Sequence, residues 1–278
     1  MSPPRPVNPD ESLILALGGG GFTMEPANPL LDDFVLSLVE PREARILFLP
    51  TASGDTTTQI NAFYSRFGGR GCIPTHVSLF RLGDLDRPLE EIVLEQDIVY
   101  VGGGSMRNLL AIWRAHRLDQ LLMQAWRQGT VLAGISAGAM CWFQGGVTCS
   151  GGAPEPMPGL GLLGGSLTVH ADGEPERLPV WLRSVRDGVL PGGWAADDGV
   201  GLLFRGQHLE RVVSSRTGAG AQRVDAIAGE LVRHRIEPEL LGSHASERSE
   251  TDDDIRELRR VHQLRREMTG ETHRFNDT

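Results

Sequence analysis

No lysine occurs anywhere in the 278 residues; all 27 basic side chains are arginine. That excludes a Schiff-base or other catalytic lysine and a phosphate-binding loop of the GxxxxGK[ST] type. Cysteine is scarce too. Cys72, Cys141 and Cys149 are too few and too irregular for a disulfide framework or a Cys-x-x-Cys zinc site, and they read as the reduced thiols of a cytoplasmic protein. Net positive charge is missing: 27 basic against 36 acidic residues leaves a formal charge of −9, so no nucleic-acid partner is expected. Long apolar runs are missing as well. The stretch Leu13–Leu17 ends in four glycines, far short of a signal segment or of the roughly 18 apolar residues of a membrane span, and no membrane partner is expected.

What is present is the composition of an ordinary globular chain, 40% hydrophobic and 23% charged. Short apolar runs bounded by Gly and Pro recur at Leu13–Leu17, Arg45 to Leu49, Ile73 to Leu79, Asp97 to Val101 and Val131–Ile135, and each reads as a buried strand. Between them, Leu30 to Val39, Thr57–Phe67 and Met106 through Trp126 carry apolar residues at helical spacing. This alternation predicts an α/β fold, a mostly parallel sheet flanked by helices. The second half is expected to be β-rich, with strands at Ser166 to Val169, Gly199 to Phe204 and His208 to Val213. One domain over residues 1–232 is expected, followed by a polar tail, 233–278, with a terminal helix starting near Thr251-Asp252-Asp253-Asp254.

Ligands of open α/β sheets sit at the carboxyl ends of the strands. Three glycine-rich loops follow strands there: Gly18 to Gly21, Gly102 to Gly104, and Gly134-Ile135-Ser136-Ala137-Gly138. The last is a GxSxG sequence between a strand and a helix-like stretch, Ala139 to Phe143, the setting in which a sharp turn exposes a nucleophilic hydroxyl. A serine needs a base. Of eight histidines, His234, His244, His262 and His273 fall in the polar tail, His116 in a charged helix, His208 in a hairpin turn and His76 within a strand. His170 alone follows a strand and precedes a loop, Ala171-Asp172-Gly173. The carboxylate that would orient it is Asp172, Asp197 or Asp198 on sequence grounds.

The segments Val101-Gly102-Gly103-Gly104-Ser105, Gly134 to Ala139, Pro158-Gly159-Leu160-Gly161-Leu162-Leu163, His170-Ala171-Asp172-Gly173-Glu174 and Ala196-Asp197-Asp198-Gly199 stand in one order along the chain. In that order they resemble peptidase E, the serine peptidases of family S51 that include α-aspartyl dipeptidase and, more distantly, cyanophycinase. The resemblance runs from the first strand to about Val224. It implies a sandwich like that of class I glutamine amidotransferases, with Ser136 as nucleophile, His170 as general base and Asp198 as orienting acid. It further implies an oxyanion hole of backbone N–H groups at Gly103 or Gly104 and at Ala137. The implied substrate is a small peptide with an N-terminal aspartate, read by an arginine after the histidine, for which Arg177 is nearest. Many relatives have an acidic residue in the segment aligned with Thr148-Cys149-Ser150, so the substrate pocket is expected to differ here.

Class I glutamine amidotransferases use cysteine where this chain has Ser136, and both Cys141 and Cys149 read as inert thiols. A non-catalytic binding protein on the same scaffold is the alternative from another class. No metal, nucleotide, flavin or other cofactor is implied, and a monomer or small homo-oligomer is expected.

Overall fold

The apolar runs of the first half are continuous because both faces of the sheet they form are covered. The computed structural model describes residues 9–40 and 43–242. In chain order its strands are β1 (Leu13–Leu17), β2 (Ala44–Leu49), β3 (Cys72–His76), β4 (Ile98–Val101), β5 (Val131–Ile135), β6 (Phe143–Thr148) and β7 (Glu155–Pro158). There follow β8 (Leu163–Thr168), β9 (Gly193–Ala196), β10 (Val200–Arg205), β11 (His208–Ser214), β12 (Ala221–Ile227), β13 (Glu230–Ile236) and β14 (Glu239–Leu240). The helices are α1 (Gly21–Met24), α2 (Leu30–Ser37), α3 (Thr57–Phe67), α4 (Leu89–Leu94), α5 (Met106–His116), α6 (Leu118–Arg127), α7 (Ala137–Met140) and α8 (Arg177–Arg186).

Two sheets result. The first has the order β14-β11-β10-β1-β5-β4-β2-β3 and is parallel from β1 through β3. The second has the order β13-β12-β9-β8-β6-β7, with parallel pairing of β6, β8 and β9 in its middle. Successive residues of the first sheet feed different cores. Ile14 and Ala16 of β1, Leu47 and Leu49 of β2, and Val99 and Val101 of β4 join Trp113 and Leu122 of α5 and α6 and the inner face of the second sheet at Leu163, Leu167 and Trp194. Leu15 and Leu17, Ile46 and Phe48, and Ile98 and Tyr100 point the other way, toward Leu31, Phe34, Phe63 and Phe67 of α2 and α3. The few aromatic rings concentrate there: Phe22, Phe48, Phe63, Phe67 and Tyr100 stack or meet edge-on at centroid distances of 4.9–6.4 Å. A third cluster, Val147, Trp181, Val185, Leu190, Ala195 and Val224, seats α8 on the outer face of the second sheet.

Several boundaries differ from the sequence expectations. Met106 through Trp126 is two helices, because Arg117 takes a left-handed conformation (φ 56°) that ends α5 and starts α6. The helix after Ser136 is a single turn, α7, and Phe143 opens β6. β13 runs through the expected boundary at residue 232 and pairs along its length with β12, carrying His234 into the sheet. Its alternation of charged, outward residues is that of an exposed edge strand, which composition alone reads as a tail. The expected terminal helix and His244, His262 and His273 lie outside the described residues. Among the described residues no helix is long and apolar enough to cross a membrane.

One buried charge marks the aromatic side of the fold. Asp32 of α2 has a fully buried side chain, with Arg66 Nε 3.1 Å from its Oδ2. Burial raises its pKa from 3.8 to about 7, against the Arg66 charge and the Phe22 N–H that lower it. The folded state therefore holds this proton more tightly than the unfolded chain. The stability linked to it is greatest at acid pH and is lost as pH rises from about 4 to about 7, in total on the order of 4 kcal/mol. Asp32→Asn is expected to flatten that slope in urea titrations across the same range; an unchanged slope would contradict the assignment.

Candidate active site

β5 delivers Ser136 to the carboxyl edge of the first sheet, where the backbone turns at once into α7. Ser136 has φ 55° and ψ −115°, a region a side-chain-bearing residue enters only when its surroundings force it. Its N–H donates to Leu17 O at 3.0 Å, which ties the turn to β1. The flanking glycines are required by close approach. A Cβ on Gly134 would lie 2.0 Å from Gly138 O, and one on Gly138 would lie 2.4 Å from Val101 O. The GxSxG sequence is thus the condition for folding this turn against β4.

His170 stands two residues beyond β8, also in a left-handed conformation (φ 52°), with its N–H donating to Gly18 O at 3.2 Å. Asp198 lies between β9 of the second sheet and β10 of the first. Ser136 Oγ is 2.9 Å from His170 Nε2, and His170 Nδ1 is 2.5 Å from Asp198 Oδ1. The His170 and Asp198 side chains are 12% and 14% exposed, enough to be reached from a cleft yet screened from bulk water. Of the three aspartates open on sequence grounds, Asp198 is the one bonded to the imidazole. Asp172 Oδ1 instead accepts the Asp198 N–H at 2.9 Å, and Asp197 Oδ2 accepts the Gly220 N–H at 2.9 Å.

Burial pushes the Asp198 carboxyl up, but the His170 hydrogen bond and the charges of His170, Arg216 and Arg177 outweigh it and hold its pKa below the ordinary 3.8. Arg216 Nη1 lies 4.0 Å from Asp198 Oδ2 and is itself held by Glu25 through Nε. Asp197 goes the other way, raised by burial. The carboxylate at the imidazole is therefore kept ionised, as orienting a histidine requires.

A cavity of about 270 Å³ opens beside the Ser136 hydroxyl, walled by Gly104, Ser105, Thr148, Cys149 and Arg177. Gly103 borders the serine: a Cβ there would sit 3.2 Å from Ser136 Cβ and 3.8 Å from Oγ. The N–H groups of Gly103, Gly104 and Ala137 donate no hydrogen bond among the described residues, and Gly104 lines the same cavity as Ser136. Arg177 opens α8 and is almost wholly buried; Nε donates to Glu174 Oε2 at 2.9 Å, Nη2 forms an ion pair with the same oxygen at 2.8 Å, and Nη1 has no hydrogen-bond partner among the described residues.

Residues 14–212 match the family model described as Peptidase family S51. The chain belongs to that family. It is 45% identical over 229 residues to the uncharacterized peptidase YgaJ of Bacillus subtilis (strain 168), covering 82% of this chain and 99% of the relative. The fold is similar to the crystal structure of a peptidase from an acI-B1 Actinobacterium, with a TM-score of 0.63 at 19% identity over 85% of this chain and 97% of that one. It is also similar to a putative peptidase E protein from Listeria monocytogenes EGD-e, with a TM-score of 0.52 at 15% identity over 81% and 99% of the two chains.

In this S51 chain some cavity residues carry no signal in the sequence. Cys149 reads there as a loop thiol, yet it sits in the cavity wall with Arg177 Nη2 3.4 Å from its sulfur. Burial raises its pKa, with Arg177 lowering it, so it is a poor nucleophile. Cys141 is fully buried, donates to Gly138 O at 3.2 Å, and has its thiol pushed well up by burial. Arg216 and Glu25 are likewise ordinary surface charges in the sequence; only the fold brings them within reach of Asp198.

Proposed function

We propose that this S51 peptidase hydrolyses small peptides by serine catalysis through an acyl-enzyme. The observation that carries the reading is the continuous hydrogen-bonded chain from Ser136 Oγ through His170 to Asp198, built on a strained turn. His170 Nε2 takes the hydroxyl proton as Oγ attacks the scissile carbonyl, and Asp198 stabilises the imidazolium at Nδ1. The tetrahedral oxyanion forms among the N–H groups of Gly103 or Gly104 and Ala137. His170 then returns the proton to the leaving amine, and water releases the acyl group by the same steps in reverse roles.

A small-peptide substrate is supported by the cavity beside Ser136, whose volume of about 270 Å³ suits a short peptide rather than a folded segment. The acidic preference rests on Arg177, a largely buried cation in the cavity wall. An N-terminal aspartate of an Asp-X dipeptide supplies the matching carboxylate. The test is a panel of dipeptides with varied first residues, run on the wild type, Ser136→Ala, His170→Ala and Arg177→Gln. Arg177→Gln is expected to lower kcat/KM for Asp-X by about tenfold to a hundredfold, the loss of one charge-assisted hydrogen bond, and to leave the rate on neutral first residues far less changed. Equal losses on acidic and neutral substrates would discard the aspartate reading and keep the mechanism.

A further inference from the structure

The face of α3 that packs on the first sheet runs Gln59, Phe63, Phe67, at i, i+4 and i+8. Phe63 and Phe67 are fully buried in the aromatic cluster; Gln59 is a polar residue on the same stripe, in the first helical turn. Its position is costly by ordinary packing rules. Its Oε1 is buried without a hydrogen-bond partner and faces Gly102, where a Cβ would lie 2.9 Å away. Its one bond runs from Nε2 to Gly103 O at 3.3 Å.

That bond falls at an informative place. The loop between β4 and α5 is fastened at both ends by backbone bonds, Gly102 N–H to Leu49 O at 3.1 Å and Ser105 N–H to Ala52 O at 2.8 Å. Between these ends stand Gly103 and Gly104, the latter at φ +142°, with the conformational freedom of glycine on both sides of their shared peptide. The carbonyl of that peptide is Gly103 O and its N–H is that of Gly104. Rotation of the peptide plane would redirect the Gly104 N–H, which belongs to a residue lining the cavity with Ser136, and leave both end bonds intact. Gln59 is the side chain that holds the plane.

We infer that Gln59 is a positioning residue for the oxyanion site, acting through the Gly103–Gly104 peptide and touching neither substrate nor Ser136. The inference rests on the reading of Ser136 as nucleophile and of the Gly104 N–H as an oxyanion donor, and adds a residue that nothing in the GxSxG sequence or its neighbours indicates. It also separates stability from reactivity. Replacing Gln59 by an apolar side chain of similar length removes the unpartnered Oε1 but leaves Gly103 O without its donor, so the two effects offset and stability should change little while the peptide loses its anchor.

The experiment uses the full chain and a fluorophosphonate probe, whose phosphonyl oxygen needs the same donors and which requires no knowledge of the peptide substrate. The limiting inactivation rate and the half-saturating probe concentration are measured for the wild type, Gln59→Met and Gln59→Glu, beside their melting temperatures. Gln59→Met is expected to lower the limiting rate by about tenfold to a hundredfold, part of the loss seen when an oxyanion donor is removed outright, with half-saturation and melting temperature held. Gln59→Glu keeps the shape and, ionised, lacks the donor; it is expected to lower the limiting rate alike, with a lower melting temperature from the part-buried carboxylate. A folded Gln59→Met that reacts within about twofold of wild type, or one whose rate and melting temperature fall together, overturns the inference. No labelling of wild-type Ser136 overturns the nucleophile reading itself, and this inference with it.

Discussion

Ser136→Ala is expected to lower peptide hydrolysis by about 10⁴-fold to 10⁶-fold, the range for removing the nucleophile of an assembled triad, while the protein stays folded. Alanine keeps the Cβ that the turn already accommodates, and the two glycines that make the turn possible are untouched. Residual turnover would reflect the donors at Gly103, Gly104 and Ala137 acting on bound substrate with water as nucleophile. The same variant decides between serine and cysteine chemistry. Cys141 and Cys149 both remain, and both have thiols raised by burial. An enzyme using either thiol would keep its activity in Ser136→Ala and lose it to iodoacetamide. The checks are hydrolysis of the best peptide of the panel and intact mass after fluorophosphonate treatment, with one adduct expected on wild type and none on the variant. Near-wild-type turnover without Ser136 would end the serine reading.

Asp198→Asn is expected to cost about 10³-fold to 10⁴-fold in kcat with little change in KM, because an amide at Nδ1 favours the wrong imidazole tautomer and leaves the imidazolium without its counter-charge. Asp172→Asn and Asp197→Asn should each cost far less, about tenfold at most. One loses part of a hydrogen bond to the Asp198 backbone and the other a bond to Gly220. Steady-state kinetics on the three variants rank them, and a larger loss in Asp172→Asn than in Asp198→Asn would reassign the acid. Linkage supplies an independent check. The folded pKa of Asp198 lies below its ordinary 3.8, so its contribution to stability is present above about pH 4 and is lost as pH falls through the lower folded value. Asp198→Asn lacks that contribution at every pH, and its acid unfolding below pH 4 should lose this part of the slope. Asp32, with a raised pKa, works in the opposite sense and over a higher range.

The parts of this fold that are local were legible from sequence. The strands Leu13–Leu17 and Val131–Ile135 and the helix Thr57–Phe67 appear with the ends read from apolar runs and periodicity, because burial on two sheet faces or one helix face writes itself directly into residue type. The GxSxG turn was legible for the same reason: its strand, its glycines and its helical turn lie within a few residues. Arg117 was not, since it breaks a helix in a left-handed conformation with neither glycine nor proline to announce it. β7 was hidden by its two prolines, tolerable because it is the edge of its sheet. The site thins in the same way. Ser136 and His170 carry sequence-local cues, but Asp172, Asp197 and Asp198 are alike on paper, and the contact with His170 depends on how a loop passes between two sheets. Gln59 looks like any polar residue in a first helical turn until the helix is set on its sheet.

That passage between sheets gives the site an unusual division. Ser136, Gly103, Gly104 and Gln59 all hang from the parallel sheet, whereas His170, Cys149 and Arg177 come from the second sheet and the helix packed on it, and Asp198 sits on the crossing between them. The site proposed for the reaction is a seam. A slide of one layer over the other by about an ångström would spoil proton transfer without breaking a single strand ladder, so the apolar layer holding Leu163, Leu167 and Trp194 against the first sheet sets the alignment of the reaction as well as the stability of the fold. The seam also lets the layers diverge separately: loops of the second sheet can be rewritten to read a different side chain while the turn that strains the serine is left as it is.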